Sequence, residues 1–265
     1  MDRSFMKDIR YFITEAFYNI KNAHALAKSF WIGVISMVIN NVTFFVIWYL
    51  FMKTTGPING WTNTDVFAML GVSMLIFGIV NSFFRGIVDI PQFVVKSSFD
   101  SILLSPVNTF LKVSGASFSV TAIGDLLMGL FIVIYYTVTS NLSMYALILF
   151  FIGIILGTIT FLCVRLLCSL VVFFMYDGEA VSNQLFELFL RPGLYPGAIF
   201  PTKLRIFFMT AVPALLTSAV PIDIIKQQSI LLVIVSLAIT STWLFFTYIV
   251  FRVAIRRYES GNMLR

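Results

Sequence analysis

The longest apolar stretch of the chain, residues 144–174, decides its fold class. It reads MYALILFFIGIILGTITFLCVRLLCSLVVFF, with Arg165 as its one charged residue. A helix needs about 20 apolar residues to cross a bilayer, so this stretch is long enough to cross. Gly153 and Gly157 stand four residues apart within it, a spacing that lets two helices approach closely. The stretch therefore predicts a membrane-spanning helix.

The composition of the whole chain supports a membrane protein. Of its 265 residues, 59% are hydrophobic and 11% are charged, whereas a soluble domain carries about 25% charged residues. These proportions exclude a water-soluble enzyme, a disordered chain and a DNA-binding domain, so we expect no nucleic-acid partner. Six spans would use roughly 120 residues, which leaves too few for loops together with a separate catalytic domain. Energy for any work must then come from a gradient or from another polypeptide.

The apolar stretches together predict an all-α membrane protein with six transmembrane helices in a single domain. The spans are predicted at about residues 30–52, 66–84, 113–136, 144–174, 204–220 and 230–251. The fifth span has an alternative. In it, a less apolar helix over residues 181–199 crosses the membrane, and residues 204–221 form a re-entrant hairpin on the outer side, bent at Pro213. Hydropathy favours the first arrangement.

The N-terminal segment, residues 1–28, has an amphipathic pattern. Apolar residues recur at steps of three or four, and Lys and Arg residues stand between them. This pattern predicts a helix that lies in the membrane interface with its basic residues toward the lipid headgroups. Packing of the same helix on a partner protein is compatible with that position.

The distribution of basic residues predicts the orientation. Fifteen of the 18 Lys and Arg residues lie in the N-terminal segment, the C-terminal tail and the segments 85–112 and 175–205. Two lie in the intervening loops, and Arg165 lies within a span. Because cytoplasmic loops carry the excess of Lys and Arg, we expect both termini and the loop at 85–112 to be cytoplasmic.

The sequence offers little chemistry for catalysis. It contains no G-x-x-x-x-G-K-[ST] loop for nucleotide phosphates, no G-x-S-x-G and no H-E-x-x-H. His24 is the single histidine, and Cys163 and Cys168 both lie in an apolar run, so no metal-binding cluster is expected. The chain is therefore predicted to be neither an enzyme nor a metalloprotein.

Four polar residues within the predicted spans are candidates for a functional site. Asp125 and Arg165 lie at similar predicted depths in spans three and four, and each is costly alone in hydrocarbon. We therefore expect an ion pair between them, either as a structural lock or as part of a transport path; Arg165 reaching to the interface is the alternative. Asn40 and Asn41 lie in the first span, where interhelical hydrogen bonding is the ordinary role and contact with substrate the other.

Four motifs, in this order along the chain, resemble a known family. They are Phe99–Pro106 (FDSILLSP), Tyr195–Pro201 (YPGAIFP), Ala211–Ala214 (AVPA) and Arg256–Gly261 (RRYESG). The chain resembles a permease subunit of the ABC type-2 exporter family, in its bacterial branch of permeases of about this length. Ser98 departs from the pattern, since a glycine is expected before Phe99.

The resemblance implies partners and a coupling surface. Two permease subunits, identical or sister chains, would form the membrane domain in the bacterial cytoplasmic membrane. Two cytoplasmic ATPase subunits would hold ATP and Mg²⁺, so this chain would bind no cofactor itself. Residues 90–106 would be the cytoplasmic coupling region, with a coupling helix around Val94–Leu104. The residues expected to contact the ATPase are Val94, Phe99, Asp100, Ile102, Leu103 and Leu104.

The function implied is export by alternating access, in which ATP binding on the partner shifts the permease dimer between two arrangements. The 29 Phe residues suit an apolar or amphipathic substrate. A gradient-driven secondary transporter or channel is the alternative. It would need an ion-coordinating or titratable residue at the midplane, and Asp125 is the one acidic candidate. The family also tends to place the Tyr-Pro motif toward the outer side, which supports the re-entrant alternative.

Overall fold

The computed structural model describes residues 10–15, 18, 21, 27–175 and 177–258. Over these residues the chain is helical and contains no strand. Twelve α-helices between residues 27 and 258 have the following bounds: α1 Ala27–Thr55, α2 Asn63–Phe83, α3 Arg85–Val88, α4 Ile90–Val95, α5 Phe99–Leu103, α6 Thr109–Ser114, α7 Thr121–Thr139, α8 Met144–Leu170, α9 Gly178–Gly193, α10 Thr202–Thr210, α11 Ala219–Gln227 and α12 Ile230–Arg257.

Five helices of the described part are long and apolar enough to cross a membrane: α1, α2, α7, α8 and α12. The expectation of an all-helical, multi-pass membrane protein is thereby confirmed. The third span begins later than expected, at Thr121 and not near residue 113. The reason is that Thr109–Ser114 forms the separate helix α6, capped by Asn108, whose side-chain oxygen accepts from the backbone N–H of Phe110 at 3.0 Å.

Helix α2 lies at the centre of the bundle and is largely buried. It packs most extensively on α7, and α7 packs also on α1. Helix α8 packs on α12, α11 and α9. A methyl group added at Gly78 of α2 would lie 2.5 Å from the backbone nitrogen of Leu126, so the backbones of α2 and α7 approach as closely as glycine allows.

Helix α9 extends from one end of the bundle to the other. Near its start, the Gln92 amide donates to the Glu179 carboxylate at 3.2 Å, at the end that holds α3 to α6. Just after it, the Asn59 amide donates to the carbonyl oxygen of Ala198 at 2.8 Å. Asn59 lies in the loop between α1 and α2, which is the opposite end of α2 from α3. Helix α9 and the turn that follows it therefore connect the two ends.

Residues 202–227 form a helical hairpin. Helix α10 runs inward to Thr210, whose carbonyl accepts from the Trp243 indole N–H at 2.9 Å. The chain reverses at Pro213 and returns through a 3-10 turn and α11. At the open end of the hairpin, Arg205 and Asp223 form an ion pair at 2.7 Å. This pair joins the two antiparallel arms at the open end of the hairpin.

The single helix expected over residues 204–220 is therefore corrected. Those residues divide among α10, the 3-10 turn Ala214–Thr217 and the start of α11. Pro213 has no backbone N–H and cannot continue α10, which ends before it. A helix over residues 178–193 followed by a hairpin agrees in geometry with the alternative considered from the sequence.

The hairpin packs on the glycine pair of α8. A methyl group at Gly157 would lie 2.6 Å from the carbonyl oxygen of Leu216, and one at Gly153 would lie 3.0 Å from the side-chain end of Ile224. The close approach expected from this spacing is present. The backbone that comes close belongs to the returning part of the hairpin, and the side chain of Ile76 on α2 also lies beside Gly157.

The predicted N-terminal interfacial helix falls mostly outside the described residues, as does His24. Residues 10–15 are helical and contact the segment between α2 and α7. Glu15 forms an ion pair with Lys112 at 3.3 Å, and the rings of Phe12 and Phe84 lie 5.4 Å apart. This part of the N-terminal segment is thus joined to the helices between α2 and α7.

Candidate functional site

The segment between α2 and α7 folds onto a small core of its own. Its buried apolar residues pack with the end of α8 and with α12 in one cluster, whose members include Ile87, Ile90, Val94, Phe99, Ile102, Val113, Leu170, Val172, Phe173 and Ala254. These residues hold α3 to α6 against two of the long helices.

The six residues expected to contact an ATPase differ in exposure. Val94, Phe99 and Ile102 are buried in this core, so their side chains hold the helices in place. Asp100 and Leu103 are partly exposed. Leu104 is 86% exposed. Of the six predicted residues, Leu104 is the most exposed. The surface available to a partner also includes the exposed residues Val95, Lys96, Ser98 and Ser101, which were not among the six.

The expected coupling helix over Val94–Leu104 is two short helices. Helix α4 ends at Val95 and α5 begins at Phe99. Between them Ser97 has φ +55°, in the left-handed region, while Ser98 has φ −81°. The glycine expected at position 98 is therefore not required by the backbone there. The turn is supported by the hydroxyl of Ser101, which donates to the carbonyl of Ser98 at 2.7 Å.

The C-terminal motif meets the coupling region. The ring of Tyr258 lies 5.1 Å from that of Phe99 and 5.9 Å from that of Phe173. Burial and a hydrogen bond to Asp100 raise the pKa of Tyr258 to about 12, so its hydroxyl stays protonated and can donate to that carboxylate. Two motifs that are far apart in sequence thus form one contact, which sequence spacing could not indicate.

The intramembrane polar residues do not pair as expected. The Asn41 amide donates to Asp125 Oδ1 at 2.7 Å, and Asp125 Oδ2 has no hydrogen-bond partner within the described part of the chain. The Arg165 guanidinium lies 4.4 Å from the centre of the Phe186 ring, with its Nη2 3.5 Å from the carbonyl oxygen of Val88.

The predicted ion pair between Asp125 and Arg165 is therefore wrong: among the described residues, these two are not within 4.0 Å. The cause is the packing of the helices. Although α7 and α8 are consecutive, α7 packs on α1 and α2 and α8 packs on α9, α11 and α12. Asp125 consequently faces α1, and Arg165 faces α9.

Three of the four intramembrane candidates line one cavity. It has a volume of about 380 Å³ and lies among α1, α2, α7, α8 and α9. We name it the Asp125 pocket. Its polar lining consists of Asn40, Asn41, Ser73, Asp125, Glu187, Arg191 and Thr217, and its aromatic lining of Phe44, Phe77, Phe161 and Phe186. Arg165 does not line the pocket, but it contacts the lining residue Phe186.

Sequence reasoning missed several residues of this pocket. Hydropathy favours a span over residues 204–220, and that choice leaves Glu187 and Arg191 outside the predicted spans. Their i, i+4 spacing on one helix face was the available signal. Ser73 gave no signal, because a lone serine in an apolar helix is common.

Comparison with protein families gives a match over most of the chain. Residues 38–261 match the family model described as ABC-2 family transporter protein, which covers most of the chain. No curated protein and no solved structure matches.

Proposed function

Because the chain belongs to the ABC-2 family of transporter proteins, we propose that it is the permease subunit of an ABC exporter in the bacterial cytoplasmic membrane. The observation that carries the proposal is the family match over residues 38–261 in a sequence without a nucleotide-phosphate loop. Energy would come from two cytoplasmic ATPase subunits that bind ATP and Mg²⁺. A second permease copy or a sister permease would complete the membrane domain.

We propose six crossings, the sixth being α9. Its 16 residues rise about 24 Å at 1.5 Å per residue, and the chain beyond them extends the crossing to Ala198. An even number of crossings leaves both termini on one side, and the excess of Lys and Arg makes that side the cytoplasm.

The hairpin of α10 and α11 would then be re-entrant from the outer side. Non-helical backbone at membrane depth is tolerated only where protein covers it. The returning arm satisfies this condition, because residues 213–225 are buried. The ion pair of Lys226 with Asp65, at the start of α2, supports placing the open end of the hairpin beside the loop between α1 and α2.

The coupling step would act through the aromatic contacts of Phe99. An ATPase that grips the exposed surface around Leu104 would move α5. Phe99 would pass this movement to Phe173, just after α8, and to Tyr258, just after α12. The two long helices would then shift relative to α2, changing the dimer between two arrangements that bind substrate differently. An apolar or amphipathic substrate fits the aromatic lining of the cavities.

The test is co-purification with the cognate ATPase followed by reconstitution in liposomes. We expect a stable complex that hydrolyses ATP, and Leu104→Glu should weaken ATPase association without lowering the unfolding temperature of the permease. Ile199→Glu is the matched control, since Ile199 is an exposed apolar residue at the opposite end. Unchanged transport in cells that lack the ATPase would overturn the proposal and favour a gradient-driven carrier.

A further inference from the structure

The carboxylate of Asp125 has an unused oxygen. The residue is 2% exposed, and Oδ1 already accepts from Asn41. Oδ2 is fully enclosed and has no hydrogen-bond partner among the described residues. A buried acceptor left unpaired is costly, and an unpaired buried carboxylate is more so. An oxygen in this position therefore lacks a donor or a positive charge that some bound species could provide.

The Asp125 pocket has room for such a species. Its volume of about 380 Å³ lies within the range of small-molecule sites, about 300–1,000 Å³. When ionised, the lining residues Asp125 and Glu187 carry two negative charges and Arg191 carries one positive charge, which leaves −1. Within the described residues, Arg191 forms no ion pair with either carboxylate. Arg165 lies outside the lining and offsets the charge of Glu187, so the carboxylate that remains without an opposite charge is that of Asp125.

The walls of the pocket also suit a cation with apolar substituents. The rings of Phe77 and Phe161 meet edge to face at 6.0 Å, and those of Phe161 and Phe186 at 5.4 Å. Aromatic faces attract cations, most strongly where water is excluded. Phe186 already does this with the guanidinium of Arg165, a residue that is not part of the pocket lining. Phe44 adds a further aromatic side chain from α1.

We propose that the Asp125 pocket binds a monovalent organic cation with aromatic or aliphatic substituents, such as a quaternary ammonium or phosphonium compound, with the Asp125 carboxylate as its counter-ion. Asn41 is a positioning residue, because its amide orients the carboxylate so that Oδ2 is the free oxygen. The identification of this cation as transported substrate rests on the proposed function, whereas the binding itself does not.

The first experiment compares two probes on the purified full-length chain in lipid nanodiscs, without ATPase. Tetraphenylphosphonium is the cationic probe, and triphenylphosphine oxide is a neutral aromatic analogue. Equilibrium dialysis should give a Kd for the cation at least about tenfold lower than for the neutral probe. Asp125→Asn should abolish this preference, and Asp125→Glu should retain it. Asp177→Asn, which removes an exposed carboxylate outside the pocket, should leave both affinities unchanged.

A second experiment locates the site without changing Asp125. Asn40→Cys places a thiol in the pocket lining, and Thr54→Cys places one at the exposed end of the same helix, outside that lining. Tetraphenylphosphonium should slow maleimide labelling at position 40 several-fold and leave position 54 unaffected. This measurement remains valid if Asp125→Asn does not fold.

The proposal is overturned by equal affinity for the two probes, by a cation preference that survives Asp125→Asn, or by equal protection of positions 40 and 54. Tighter binding of the neutral phosphine oxide would also overturn it, since Asp125 would then be a protonated donor. Failure of the exporter assignment looks different: the cation would bind with the expected selectivity, but no ATPase would associate or respond to it.

Discussion

The side-chain nitrogen of Lys226 lies 2.7 Å from Asp65 Oδ2 and 2.7 Å from the carbonyl oxygen of Gly60. Asp65 also accepts from the Tyr136 hydroxyl at 3.1 Å and takes part in the capping box that begins α2 with Thr62. One carboxylate thus joins the end of the hairpin to the starting end of α2 and to α7. This group is the point at which three parts of the chain are held together on one side of the bundle.

Replacing Lys226 should loosen that junction. Lys226→Gln leaves the buried Asp65 without its charged partner, and we expect a loss of about 1–2 kcal/mol in the free energy of unfolding. Lys53→Gln is the control, because Lys53 is an exposed lysine in the last turn of α1, just before the loop that Lys226 contacts. Thermal unfolding in detergent measures both variants. An unchanged midpoint for Lys226→Gln would mean that the ion pair does not stabilise the junction.

The two arrangements of residues 181–221 differ in the side of the membrane on which the hairpin begins. Labelling with a membrane-impermeant maleimide in intact cells should modify Thr202→Cys and Asn59→Cys. Ser98→Cys should react only after the cells are permeabilised. If Thr202→Cys behaves like Ser98→Cys, helix α9 does not cross, and residues 204–220 carry the fifth span after all.

The glycine pair of α8 gives a matched comparison. Gly157→Ala would press a methyl group against the backbone carbonyl of Leu216, which cannot move without shifting the hairpin. We expect a loss of about 1–3 kcal/mol in stability. Gly153→Ala meets the flexible end of Ile224 at 3.0 Å and Pro221 at an ordinary contact distance of 3.4 Å, so it should cost clearly less. If chemical unfolding shows the same loss of stability for both variants, the hairpin backbone does not approach Gly157 as closely as the 2.6 Å to Leu216 indicates.

The contact between the C-terminal tail and α5 predicts a separation of ring and hydroxyl effects. Tyr258→Ala removes the ring that packs on Phe99 and Phe173. It should destabilise the cluster that joins α3 to α6 with the ends of α8 and α12 by about 1–2 kcal/mol. It should also lower substrate-stimulated ATP hydrolysis by the reconstituted complex. Tyr258→Phe keeps the ring and should retain most of both properties. Tyr145→Ala, an exposed tyrosine in α8, serves as control; if it has the same effect, the loss is not specific to this contact.

Arg165 and Asp125 should behave independently. Phe186→Leu removes the ring beneath the buried guanidinium and should destabilise the protein by about 1 kcal/mol. Arg165→Met should be neutral or stabilising, since two of the guanidinium nitrogens have no partner among the described residues. The double charge swap of Asp125 and Arg165 should be no better expressed than either single swap. If the double swap is expressed better than either single swap, the two residues do form the ion pair expected from the sequence.

Local patterns predicted much of this molecule. The bounds of α2, α8 and α12 follow from apolar runs of sufficient length, because a crossing depends on the hydropathy of consecutive residues alone. The resemblance carried by four short motifs is confirmed by the family match. The interruption at Pro213 was visible in the sequence, but hydropathy outweighed it there. An averaged hydropathy takes no account of the missing backbone N–H of proline. Because Pro213 cannot donate a helical hydrogen bond, α10 ends before it.

The class of the protein was therefore determined by the sequence itself: a helical, multi-pass permease whose polar residues are few and whose basic residues lie mainly in a few segments. Only the tertiary structure decided which residues that are distant in sequence contact each other. Asp125 pairs with Asn41 and not with Arg165, and Tyr258 contacts Phe99 across most of the chain. Hydropathy depends on residues that are adjacent along the chain, whereas a partner depends on which helix faces pack together, and α7 and α8 are consecutive without being packed together.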